Sequence, residues 1–87
     1  PMLTVQAPPV VTADQWVELE IRASEPADAW LHVHAVSGYV PHQRVRMVAG
    51  RAQVRALALG LRAGENLHLQ FGFGAVTALA QGVIHVI

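Results

Sequence analysis

The stretch WVELEIRA, residues 16–23, decides the fold class. Val17, Leu19, Ile21 and Ala23 alternate with Glu18, Glu20 and Arg22, a period of two that places the apolar set on one face of a strand. A segment that buries one side and shows the other to water behaves as an antiparallel strand. Short runs of the same kind recur about every ten residues on both sides of it, bounded by Gly, Pro and Asp, as in all-β sandwiches and barrels.

Upstream, Leu3 to Gln6 reads as a first strand, stopped by Pro8-Pro9 because proline has no N–H to give to a ladder. Downstream, Ser24 to Asp28 is a turn around Pro26 and Ala29 to Val36 is the next strand. Arg44 to Val48 and Arg51 to Leu59 flank Ala49-Gly50 as a two-residue hairpin. In that register Val48 opposes Arg51, Arg46 opposes Gln53 and Arg44 opposes Arg55, while Val45 and Met47 meet Val54 and Ala52 on the inward face. Asn66 to Phe73 is a strong strand with Leu67, Leu69, Phe71 and Phe73 inward. Residues 75–80 read as a loop or short bridging segment, and Gln81 to Ile87 as a last strand, apolar on both faces. Ala52 to Leu61 is the one helical competitor, and the neighbouring strands and Gly60 decide against it.

Composition bounds the rest. A chain of 87 residues has room for one core between two packed layers, so residues 1–87 are expected to form one domain. A hydrophobic fraction of 53% excludes disorder. With no cysteine, disulfides, thiolate chemistry and cysteine-based zinc sites are excluded. Six arginines and no lysine balance six acids at a formal net charge of zero, which argues against a dedicated nucleic-acid binder. Arginine throughout, with much Ala, Val and Gly, fits a GC-rich bacterial coding bias. No apolar run is long enough for a membrane-spanning helix. No secretory leader pattern stands at the start, as in a domain excised from a longer protein.

The segment LALGLRAGENLHLQF, residues 57–71, resembles the L-x-A-G-E-x-x-x-x-x-F crossing between sheets in bacterial immunoglobulin-like modules, the CARDB type among them. Pro8-Pro9 followed by Asp14 and the strand Trp16 to Ala23 is similar to the opening of such modules. The resemblance implies a seven-stranded antiparallel immunoglobulin-like β-sandwich, with a small β-barrel as the alternative. It also implies a spacer, adhesion or accessory role in a larger exported protein, and carries no catalytic residues. The cysteine pair of antibody domains is absent.

In such a sandwich the third, sixth and seventh strands lie side by side, the sixth in the middle. Leu31, Val33 and Ala35 make the better core face of the third strand, leaving Trp30, His32 and His34 outside. By the same alternation His68 points out from the sixth strand and His85 from the seventh, so four histidines are expected on one outer face. Were Trp30 the buried aromatic of that strand, His32 and His34 would go inside with it, which is costly without partners.

Three readings compete for this face. The plainest is a solvated sheet surface. The second is a docking surface including Trp30, Val36 and Tyr39, with a protein partner, a neighbouring domain or a second copy covering exposed Val83 and Ile87. The third is a Zn²⁺ or Cu²⁺ site built from His32, His34, His68 and His85, because imidazole nitrogens at His-x-His spacing suit either metal. Otherwise no cofactor is expected. Arg44, Arg46, Arg51 and Arg55 line the outer side of the expected hairpin and offer a polyanion surface, or cross-strand ion pairs with Glu18 and Glu20. Ser24 and Ser37 are the only serines and have no nucleophile context, so no enzyme is expected.

Overall fold

The computed structural model of the chain describes residues 2–26, 28–74 and 76–87. Every regular element in it is a strand: β1 Leu3–Gln6, β2 Val10–Val11, β3 Trp16–Ala23, β4 Ala29–Ser37, β5 Arg44–Met47, β6 Arg51–Leu57, β7 Asn66–Phe73 and β8 Val76–Val86. They form two packed sheets, β1-β3-β6 and β2-β8-β7-β4-β5, so the chain is a β-sandwich. No helix among the described residues is long and apolar enough to cross a membrane.

The deciding stretch behaves as its pattern requires. Val17, Leu19 and Ile21 of β3 are buried and Glu18 faces solvent. The strand pairs antiparallel with β1 through Leu3↔Ala23 to Gln6↔Glu20, and with β6 through Trp16↔Leu57 to Arg22↔Arg51. From the other sheet Leu31, Val33, Leu67, Leu69, Phe71, Ile84 and Val86 fill the same core. Gly82 lets the layers close: a Cβ there would stand 3.0 Å from Leu19 Cδ2 and 3.4 Å from Phe71 Cε2.

Pro8-Pro9 divides the first strand between the sheets. After β1 the chain crosses over, and β2 lies parallel to the end of β8 through Val10↔His85 and Val11↔Val86, which makes eight strands where seven were expected. Two residues are too few to show a period, so β2 left no mark in the alternation. The expected loop over 75–80 is also shorter. Ala75 lies outside the described residues, and β8 begins at Val76, with a register shift between Phe71 and Phe73.

The hairpin forms only at its turn, not along the ladder expected of it. The tight turn forms, with Ala49 at φ 51° and Gly50 at φ 75°, as a primed two-residue turn demands. Val48 and Arg51 exchange backbone bonds of 2.9 and 3.0 Å. The ladder stops there: β5 pairs with β4 and β6 pairs with β3. Arg46 therefore opposes Trp30 and Arg44 opposes His32, while Gln53 opposes Glu20 and Arg55 opposes Glu18. Val45, Met47, Ala52 and Val54 still share one core, reached from opposite layers.

The β4–β5 connection holds a glycine with no substitute. Gly38 sits at φ +81°, and a Cβ there would fall 2.1 Å from Leu67 Cδ1 and 2.9 Å from the Leu57 carbonyl oxygen. Gly38→Ala combines left-handed backbone strain with overpacking against Leu67, and is expected to destabilise by about 2–4 kcal/mol. The urea midpoint, compared with that of Gly64→Ala, where the Cβ meets nothing within 4 Å, checks this.

Candidate functional site

The outer face of the five-stranded sheet has an unusual charge distribution. The stretches VV, AWLHVHAVS, RVRM, NLHLQFGF and VTALAQGVIHV that form it contain no Asp or Glu. They carry Arg44 and Arg46 on β5, His32 and His34 on β4, His68 on β7 and His85 on β8. Glu18 and Glu20 lie in the other sheet with Arg22, Arg51 and Arg55. Asp28 accepts the Ala49 N–H at 2.9 Å and Glu65 the Arg62 N–H at 2.7 Å, both off the sheet. The net charge of zero thus divides into +2 on a carboxylate-free sheet, +1 on the mixed sheet and −3 in the connections, which hold Asp14, Glu25, Asp28, Arg62 and Glu65.

Alternation sets which way each histidine points. Leu31 and Val33 are buried while His34 is exposed and His32 half-buried; Leu67 and Leu69 are buried while His68 is half-buried; Ile84 and Val86 are buried while His85 is exposed. All four share the outer face, but register keeps them apart. His34 opposes Gln70, Gln70 opposes Gln81, and His68 opposes Val83. Among the described residues no three His, Asp or Glu side chains stand close enough to hold a metal ion. His68 Nε2 is bonded to Gln81 Oε1, and His85 Nδ1 lies 3.4 Å from Asn66 Oδ1. The set His32, His34, His68 and His85 is therefore not gathered around a common point, as metal–nitrogen bonds of about 2.0–2.1 Å would require.

Trp30 is the centre of the basic end of this face. It is 47% exposed, with the Arg44 and Arg46 guanidinium carbons 4.8 and 5.6 Å from its ring centroid. Each such contact contributes about 0.5–1 kcal/mol at an exposed site and holds the guanidinium close to the sheet surface. Val36 and Val83 are exposed on the same face.

Arg51 and Arg55, expected beside Arg44 and Arg46, lie on the outside of the opposite sheet because the chain changes layer at the Ala49-Gly50 turn. Glu20 lies 3.0 Å from Arg22 and 4.0 Å from Arg51. Arg55, though opposite Glu18, lies over Trp16 at 4.5 Å from the centroid. Tyr39 meets Trp16 edge-on at 6.3 Å and 71°, and it also lines the groove along β4 with His32 and His34.

Tyr39 separates two grooves. One, of about 490 Å³, runs along β4 past His32 and His34 to Gly38 and Gln43. The other, of about 480 Å³, lies between the edges of β5 and β6, with Val45 and Val54 at its base and Trp16, Tyr39, His42 and Arg55 around it. The second cleft was not foreseen. Its signal in the sequence was Trp16, an aromatic on the polar side of the cleanest strand.

No protein-family model matches this chain, nor does any curated protein or solved structure.

Proposed function

We propose that the chain is a non-catalytic immunoglobulin-like interaction module of a larger, exported bacterial protein, and that it docks an acidic partner on the outer face of its five-stranded sheet. The grouping of β1, β3 and β6 in one sheet and of β8, β7 and β4 in the other supports the immunoglobulin-like reading, since that fold groups its strands A, B and E against C, F and G; β5 joins the second sheet, where the constant-type fold puts its fourth strand in the first. The observation that carries the docking reading is the absence of any carboxylate from the strands around Trp30, Arg44 and Arg46. Partially exposed Trp and Arg are the residue types that anchor interfaces. Val83 and Ile87, both more than half exposed, extend the surface toward a neighbouring domain or a second copy.

A sulfated or carboxylated polysaccharide is the second reading, favoured by the same charge distribution. It rests on Arg44 and Arg46 with the histidines, no longer on a four-arginine hairpin. Retention on immobilised heparin, used as the polyanion probe, is expected to fall steeply as the salt concentration rises, and elution at low salt counts against an anionic partner on this face.

A further inference from the structure

We propose that the cleft between β5 and β6 is a strand-addition site that takes an extended peptide with acidic residues at alternate positions, paired to the free edge of β6 at Gln53 and Arg55. In an antiparallel pair, successive residues turn their backbone N–H and C=O groups alternately toward and away from the partner strand. Arg51 gives its N–H to the Val48 carbonyl at 3.0 Å and accepts from the Val48 N–H at 2.9 Å. Leu57 does the same with Tyr39, at 2.8 and 3.0 Å. Both residues thus point their backbone groups away from β3, and Gln53 and Arg55 share their parity. The N–H and C=O of these two residues therefore face the cleft, and among the described residues β3 is the only strand that pairs with β6 in this region.

The opposite wall has the same character. Val33 gives its N–H to the Gln43 carbonyl, which by alternation turns Val45 and Met47 toward β4 and leaves Arg44 and Arg46 pointing their backbone groups outward. The unfinished hairpin is thus two facing edges that are closed at the Val48–Arg51 bridge and splayed beyond it. The Tyr39–Leu57 bridge closes the far end. The two β6 bridges are six residues apart, about 20 Å of strand, enough for a short extended segment and too little for a full strand of a large sheet.

Chemistry around the cleft selects the occupant. Its base is Val45 and Val54, and its sides carry Arg55, His42, Gln53, Trp16 and Tyr39, with no carboxylate among the described residues that line it; Glu18 lies beyond Arg55 on β3. An added strand would set every second side chain on the valines and the others beside Arg55 and His42. Small apolar residues alternating with Asp or Glu meet both demands. Backbone bonds supply the affinity in this mode and the alternate pockets the selectivity. This site is separate from the outer face of the five-stranded sheet and does not depend on it.

The test is amide NMR of the ¹⁵N-labelled chain with a capped peptide of alternating valine and glutamate, at millimolar concentration. In the free protein the Gln53 and Arg55 amides are expected to exchange with solvent much faster than those of Ala52, Val54 and Ala56, which point to β3. Adding the peptide is expected to shift and protect those two amides. The same peptide N-methylated at alternate residues, and separately the Gln53→Pro variant, are each expected to bind about tenfold more weakly or worse. The N-methylated peptide tests the pairing on an unaltered protein should the proline variant not fold. Unchanged Gln53 and Arg55 amides at saturating peptide, or equal binding of the N-methylated peptide, would overturn the proposal.

Discussion

Truncation of Phe71 to alanine is expected to lower the unfolding free energy by about 3–5 kcal/mol. Phe71 is fully buried and is the largest side chain in the core. It sits on β7, the middle of the five-stranded sheet, opposite Val33 on one side and Ala80 on the other. Gly82 brings the two sheets together against the Phe71 ring, where a Cβ would already be at 3.4 Å. A domain of this size has a total stability of roughly 4–13 kcal/mol, so the loss is a large part of the whole. Urea unfolding followed by tryptophan fluorescence checks it. A change below about 1 kcal/mol would mean that the two layers do not meet at Phe71.

The second large effect is on binding. Arg44→Ala/Arg46→Ala is expected to weaken retention on heparin by about a hundredfold or more at low salt, taking charged hydrogen bonds at about 1.5–3 kcal/mol each. It is also expected to flatten the dependence on salt, because each lost cation releases one counterion fewer. Arg22→Ala/Arg51→Ala removes the same charge from the opposite sheet, where both arginines already lie near Glu20. That pair is expected to leave retention nearly unchanged. Equal losses from the two double variants would mean that net charge, and not the Trp30 face, governs the interaction.

Alternation made most of the fold legible. In β3 and β7 each apolar residue of the period-two pattern is buried or half-buried, and the same pattern placed all four histidines on the outside. Face is a local property of a strand. Register is not, since it depends on which strands become neighbours and where each begins. That is why the histidines could be assigned to one face while their separation by Gln70, Gln81 and Val83 could not be read. The Ala49-Gly50 turn shows the same limit. Its residues specify a tight reversal, and Val48 and Arg51 pair across it as expected. Whether the ladder then continues depends on competition from β3 and β4, which lie far away in the chain. The carboxylate-free sheet was within reach of the sequence, but only once it was known that Arg44 and Arg46 leave Arg51 and Arg55 for the other layer.

The measurement that tests the docking face most directly is a chemical-shift map of the ¹⁵N-labelled chain titrated with a short heparin oligosaccharide at pH 6. Shifts are expected at the Trp30 indole N–H and at the backbone amides of His32, His34, Arg44 and Arg46, with β3 and the outer side of β6 unmoved. Shifts centred on Arg22, Arg51 and Arg55, or spread evenly over both sheets, would contradict it.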